Sequence, residues 1–465
     1  MRRVAFFAAL ACCCLAACGG TPAPSPTPGP KPAPESSYPA SCPGQEPHSP
    51  TTAPTEGSPA KVQPPLHPVR AGSPTLVDDR YRVVKLVGVN WYGAESPDFV
   101  PGGLDKRSAT AIAEEIKKLG FNSVRLPFSN YIVECNPVVR ETTISRLGVS
   151  GAVHALAVYD RVVAALANQG LMVILDDHTS DPEWCCPDSE NALWHNDRYA
   201  ESQWIADWVA MAQRYRGVRA VVGADLRNEP SGPAEWGTGK SLDWRLAAER
   251  AGNAVLSESA NPNLIIMVEG IDRGKDLSHV ERYPICLRPG QQSPYSGRGP
   301  CESANLVYAP HDYAFFQDAA VNRDYGKLTH YLNMTEGWAA AASAAPLWIG
   351  EFGTCSTSPG CIRPRGGALT SGGPVGTWFA NFTDYLAQAN DSWAYWPLNG
   401  TQSSPGPHAE NRNADRAFGA AETYGVLDQT WSKPASKDLV CALQSMVNPS
   451  GATYPASGCG PATPR

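Results

Sequence analysis

This sequence has no block of lysine and arginine, no apolar run long enough to cross a bilayer, no Cys-x-x-Cys pair, no His-Glu-x-x-His cluster and no internal repeat. Each absence removes a class. The 38 basic residues are scattered among 45 acidic ones over 465 positions, for a formal charge of −7. Nothing here tracks a phosphate backbone, so nucleic acid is not an expected partner. Without paired Cys-x-x-Cys ligands, zinc is a weaker reading of the cysteines than disulfides, and the histidines do not announce a metal hydrolase. The lack of a period of about 20 to 50 residues argues against a solenoid.

What is present is a long chain, 42% hydrophobic and 18% charged, with enough apolar content for a sizeable core. Residues 1–18, MRRVAFFAALACCCLAAC, combine a basic start, a short apolar run and small residues, which is the pattern of a secretory signal. Their end, Leu15-Ala16-Ala17-Cys18, is similar to a bacterial lipobox. On that reading Cys18 is lipidated and anchors an exported protein to the cell envelope; the alternative is an ordinary, Cys-rich signal peptide. Residues 19–65 are dominated by Pro, Ser and Thr and predict an extended spacer, and 448–465 form a second small, Pro-rich tail.

Four of the 14 cysteines fall in the signal region. The others, Cys42, Cys135, Cys185, Cys186, Cys286, Cys301, Cys355, Cys361, Cys441 and Cys459, are an even set suited to disulfides in an oxidising compartment. Cys286 with Cys301, Cys355 with Cys361 and Cys441 with Cys459 would close short loops, and Cys185 or Cys186 is expected to join Cys135 or Cys42.

Between these ends, β-like runs alternate with helix-period segments, the signature of parallel βα units. The predicted strands are 85–91, 123–127, 171–178, 221–230, 264–270, 306–313, 346–353 and 392–400. Eight such units over 66–447 predict an α/β chain closed as a (β/α)8 TIM barrel. Arg125, His178, Asn228, Glu229, His311, Tyr313, Glu351 and Trp396 all stand at C-terminal strand ends, the face on which such barrels carry their sites.

The motifs GVNWYGAE, RLP, DDH, RNEP, HDY and IGEFG, followed by the Trp396 segment, occur in the order seen in glycoside hydrolase family 5, which the chain resembles from about Leu66 to Val447. The resemblance implies retaining hydrolysis with Glu229 as general acid/base and Glu351 as nucleophile. It also implies a hydrogen bond from Tyr313 to Glu351, contact of Asn228 with the sugar 2-hydroxyl, and His178 and His311 lining the reacting subsite. Independently of the name, retention needs two carboxyl groups about 5 to 5.5 Å apart, and two glutamates at the ends of opposed strands meet that need. Arg125 is expected to keep Glu351 ionised, and the charge on Glu351 to raise the pKa of Glu229. Trp396 would give the sugar an apolar floor. Trp91, Trp184, Trp194 and Trp236 are candidates for further subsites, whereas Trp204 and Trp208, four apart, read as core.

Three departures blur the substrate: Arg227, which could meet substrate or pair with Asp176 or Asp177; the Cys185-Cys186 loop; and Ser231 after NEP. The expected activity is endo-cleavage of a β-1,4-glucan by a secreted monomer without cofactor or metal. A β-mannan or another β-glucoside is the competing substrate, and a non-catalytic carbohydrate-binding surface lipoprotein the competing class.

Overall fold

The computed structural model describes Cys42, 64–69, 74–185, 192–290, Ser303, 305–337, 345–356, 360–362, 373–406 and 416–447, all within the unit Tyr38–Arg465. The signal segment, nearly all of the spacer and the tail lie outside those residues. The first elements are β1 (Leu66–Val69), β2 (Thr75–Asp78) and β3 (Val83–Val84), a small antiparallel sheet. Then come β4 (Val87–Asn90), β5 (Ser123–Ser129), β6 (Met172–Thr179), β7 (Val221–Asp225), β8 (Ile265–Val268) and β9 (Leu306–Tyr308). They are followed by β10 (His311–Asp312), β11 (Trp348–Ile349), β12 (Glu351–Phe352) and β13 (Ser392–Tyr395).

Eight strands form one sheet in the order β11-β13-β4-β5-β6-β7-β8-β9, with every pair parallel. The ring closes through the parallel bridge Tyr308–Leu347 and the pairing of β10 with β12, where His311 faces Glu351. Each of the eight predicted strands is present. Helices Ala109–Lys118, Ala155–Asn168 and Trp244–Glu258 occupy the helix-period segments; Ser108 caps the first, accepting from the Ala111 N–H.

Strand periodicity explains why the barrel is greasy at one end and charged at the other. Alternate positions read Met172, Ile174, Asp176, His178 on β6, then Ile265, Met267, Glu269 from β8, and Val307, Ala309, His311, Tyr313 from β9 into β10. The lower members join Leu66, Leu76, Val84 and Leu86 in one buried cluster. The small sheet β1–β3 therefore plugs the N-terminal end of the barrel, while the charged ends collect at the opposite mouth. Trp204 and Trp208 are buried in the helix-facing core as expected.

The cysteines depart from expectation in one place. Cys42 bonds directly to Cys135, a separation of 93 residues, so neither is the partner of the Cys185-Cys186 loop. Sequence spacing says nothing about which Cα atoms come within bridging range. Cys355 pairs with Cys361. Cys185, Cys286 and Cys441 are disulfide-bonded as well; Cys186, Cys301 and Cys459 lie outside the described residues.

Candidate active site

Arg125, from the middle of β5, points up the axis of the barrel with no exposure at all. Its Nε donates to Asp225 (2.8 Å), its Nη1 to Glu351 (2.6 Å) and Asn90 (3.1 Å), and its Nη2 to Asp176 (2.9 Å), Asn228 (2.9 Å) and Glu269 (3.1 Å). One guanidinium thus serves four carboxyl groups. Burial outweighs its help for three of them: the pKa of Asp176 is pushed up to about 6, and those of Asp225 and Glu269 to about 7. Each of these acids thus takes up a proton more readily than it would in water, which limits the cost of so many acids in one dry site.

Glu351 sits between two donors. Arg125 Nη1 meets its Oε1, and the Tyr313 hydroxyl donates to its Oε2 at 2.9 Å. Tyr313 keeps its proton, since burial and the charge of Glu351 push the phenol well above its usual range.

Glu229 adopts a left-handed backbone, φ 49°, a conformation costing a non-glycine residue about 1 kcal/mol or more. Its N–H donates to Glu269 Oε2 at 2.7 Å, which holds that turn. Its Oε1 lies 3.2 Å from His311 Nδ1, and His311 Nε2 lies 3.1 Å from Glu269 Oε1. Despite its own burial, His311 is pushed well above its ordinary pKa by Glu269 and Glu351, so it carries charge. The pKa of Glu229 is raised to about 7, mainly by burial, with Glu351 a smaller contributor opposed by His311. The expected rise is there; its main cause is desolvation rather than the neighbouring carboxylate.

Oxygens of Glu229 and Glu351 and a nitrogen of His311 all lie within 4.8 Å of one another. That separation suits direct attack and excludes the roughly 6.5 to 9.5 Å needed to seat a water between two inverting carboxyls. Asp225, Glu269 and His311 form a second grouping of the same compactness. Either could be read as a cation site, but Arg125 already bonds Asp225, Glu269 and Glu351.

These groups open into a cavity of about 500 Å3. A larger one of about 720 Å3 lies at the plugged end, against Leu76, Val84 and Lys85, far from the acids. In the cavity beside the acids Trp396 packs parallel to His178, centroids 5.2 Å apart and planes 7° apart, and also to Tyr92 at 5.2 Å. Asp176 binds His178 Nδ1 at 2.7 Å, and burial holds the ring well below its ordinary pKa, hence neutral. Asn228 accepts from Arg125 and donates to Cys185 Sγ at 3.0 Å. On one wall Trp184 is overlain by the Arg416 guanidinium, 3.4 Å from the ring centroid. On the other Phe315 stacks on Tyr313 at 5.0 Å, 66% exposed.

A family model described as cellulase (glycosyl hydrolase family 5) matches residues 83–402. The chain belongs to glycoside hydrolase family 5. An endoglucanase of Paenibacillus polymyxa is 31% identical over 350 residues, covering 71% of this chain and 79% of that one. The major extracellular endoglucanase of Xanthomonas campestris pv. campestris is 35% identical over 393 residues, covering 82% and 71%. The solved catalytic domain of a major endoglucanase from that organism superposes with a TM-score of 0.58 at 30% identity, covering 80% of this chain and 97% of that domain. A hyperthermophilic endocellulase from Pyrococcus horikoshii, 24% identical, shares the fold with a TM-score of 0.64 over 83% of this chain and all of its own.

As a family 5 glycoside hydrolase, the chain brings all eight residues singled out in its sequence to one mouth. Several other expectations need correction or settle one way. Trp91 is fully buried and donates to the Gly102 carbonyl instead of facing the cavity. Trp194 is buried against Trp244, and Trp236 is buried with its Nε1 on the Tyr283 carbonyl; only Trp184 of that set lines the site. Arg227 pairs with buried Asp177 at 3.2 Å. Sequence reasoning missed Glu269, Asp225, Asn90, Tyr92, Arg416 and Glu422. The strand alternation would have pointed to Glu269 and Asp225, two residues beyond Met267 and Gly223, but Arg416 carries no local signal.

Proposed function

We propose that this family 5 enzyme hydrolyses β-1,4-linked glucan in endo fashion with retention, with Glu351 as nucleophile and Glu229 as acid/base. The observation that carries the assignment is the pair of carboxyl groups within 4.8 Å, one against Arg125 and Tyr313 and the other buried with a pKa raised to about 7. Glu351 attacks the anomeric carbon while Glu229 gives its proton to the departing glycosidic oxygen, forming a glycosyl ester and a free sugar hydroxyl. Water then attacks that carbon, Glu229 takes its proton, and the ester bond breaks to return Glu351 as carboxylate. Trp396 supports the pyranose ring, and Asn228 and His178 line it. The substrate rests on the named endoglucanase relatives.

Residues 1–18 serve as export signal, Cys18 as lipid anchor, 19–65 as spacer and 448–465 as tail of a secreted, envelope-tethered monomer. One relative being an extracellular endoglucanase supports export. A Cys18→Ser protein still sedimenting with membranes would refute the anchor.

The decisive assay is reducing-sugar release from β-glucan, β-mannan and other β-glycosides by wild type, Glu229→Gln and Glu351→Gln. Both variants are expected to lose at least about 100-fold on glucan. On an aryl glycoside whose phenol leaves without protonation, Glu229→Gln should retain a fast first step and Glu351→Gln none. Activity surviving in both variants overturns the mechanism; preference for mannan overturns the substrate.

A further inference from the structure

Asn228 is held at both ends of its side-chain amide. It follows β7 and precedes Glu229, is 1% exposed, and has its backbone N–H on the Asp177 carbonyl at 2.9 Å. Arg125 has only hydrogens to give, so its 2.9 Å contact through Nη2 fixes which end of the amide is Oδ1. At the other end Nδ2 donates to Cys185 Sγ at 3.0 Å. Cys185 is disulfide-bonded. A sulfur joined to carbon and to a second sulfur carries no hydrogen, so it acts here only as an acceptor, and it cannot swing about Cα–Cβ as a free thiol does. The loop that presents it is fastened as well: Asp181 pairs with Arg198 at 2.8 Å, and the Trp184 N–H donates to the Pro405 carbonyl at 2.7 Å. Cys185 and Asn228 line the same cavity as Glu229 and Glu351.

What the amide meets follows from the guanidinium that it shares with Glu351. Arg125 gives Nη1 to Glu351 Oε1 at 2.6 Å and Nη2 to Asn228 Oδ1, which sets Asn228 beside the carboxylate that attacks the anomeric carbon. That carbon has two ring neighbours, the ring oxygen and C2, and only C2 carries a hydroxyl. A polar group beside the nucleophile is thus placed for the 2-hydroxyl, whose hydrogen bonds strengthen in the transition state. Such a contact gains rate only if its partner is already in place. An amide anchored at Oδ1 alone turns about its last torsion, which has a broad minimum. The second anchor, at the sulfur, stops that turn.

We propose that the Cys185 disulfide is a positioning element of the reaction, its sulfur locking the plane of the Asn228 amide that holds the sugar 2-hydroxyl in the transition state. Cys185 acts through Asn228 and touches no reacting atom. The inference rests on the proposed retaining cleavage, with Glu351 as the attacking group.

The test compares an aryl β-cellobioside with its analogue lacking the 2-hydroxyl on the sugar joined to the phenol. The ratio of kcat/KM for the first over the second isolates the contact with that hydroxyl. Asn228→Ala should lower the ratio about 10- to 100-fold. Cys185→Ala should lower it about 3- to 10-fold, mainly through kcat, with the deoxy substrate cleaved as fast as by wild type. In the double variant the ratio should be no lower than in Asn228→Ala, because the same contact is lost only once. A fall shared equally by both substrates would make the disulfide a support of its loop and overturn the proposal, as would an unchanged ratio in Cys185→Ala or a further fall in the double variant. If Cys185→Ala does not fold, dithiothreitol applied to folded wild type and Asn228→Ala reads the same coupling, with alkylation of Cys185 tracking its reduction. The ratio should then fall in wild type only; an equal fall in both, or none in either, overturns the proposal. Wild type that cleaves neither glycoside, or a ratio unchanged in Asn228→Ala, strikes the proposed function. A fall in Asn228→Ala with none in Cys185→Ala strikes this inference alone.

Discussion

Glu229 and Glu351 are the same amino acid, and the site makes them unlike by what it places against each. Glu351 receives a guanidinium hydrogen and a phenol hydrogen; Glu229 is desolvated and faces a charged imidazole 3.2 Å away. With its pKa raised to about 7, Glu229 holds its proton below that pH and loses it above, and on the proposed mechanism that is the proton the first step needs. A pH profile of kcat/KM should therefore show a basic limb near pH 7 for a substrate that requires protonation. The limb should be absent in Glu229→Gln assayed on an activated aryl glycoside. Tyr313→Phe removes one donor to Glu351 and no packing volume. We expect kcat/KM to drop about 10- to 100-fold with thermal stability within about 1 kcal/mol of wild type, checked by steady-state kinetics beside a melting curve.

At the scale of elements, the site depends on strand ends meeting at one level, and short strands cannot be shifted separately. β12 contributes Glu351 and is followed by Gly353, where a Cβ would fall 2.4 Å from the Trp396 backbone oxygen. That oxygen belongs to the main chain carrying Trp396, the proposed sugar floor, so it cannot swing away. Gly353→Ala should cost about 1 to 3 kcal/mol of stability and raise KM by displacing Trp396, measurable by chemical denaturation and kinetics on the same preparation. Legibility follows the same division. The eight strands were readable because apolar runs and their polar ends lie within single segments. The place of Trp91 is not legible in the same way, because a strand-end aromatic can face either the helices or the mouth, and only the packing around Gly102 decides which.

For the whole molecule, the concentration of acids inside the barrel makes stability depend on pH. Asp177, Asp225 and Glu269 have folded-state pKa values near 7 and Glu95 near 8, all mainly through burial, against about 4 in an unfolded chain. The folded state then binds more protons than the unfolded one across that interval. Their contribution is fully present below about pH 4 and is lost as pH rises through about 7 to 8. The melting temperature should be higher near pH 5 than near pH 9, and calorimetry showing the opposite trend would count against this balance of buried acids.

The sequence by itself determined the order of strands and helices, the barrel class, and the pair of glutamates with their immediate neighbours in the motifs, because those depend on periodicity and on residues adjacent in the chain. Only the tertiary structure decided that burial rather than Glu351 is the main cause of the raised Glu229 pKa, that Arg125 serves four carboxyl groups, and that Cys42 reaches Cys135. The same holds for Arg416, which lies over Trp184 from 232 positions further along the chain. Desolvation, hydrogen-bond reach and ring stacking act through space over a few ångströms, and the distance between two residues along the chain carries no record of them.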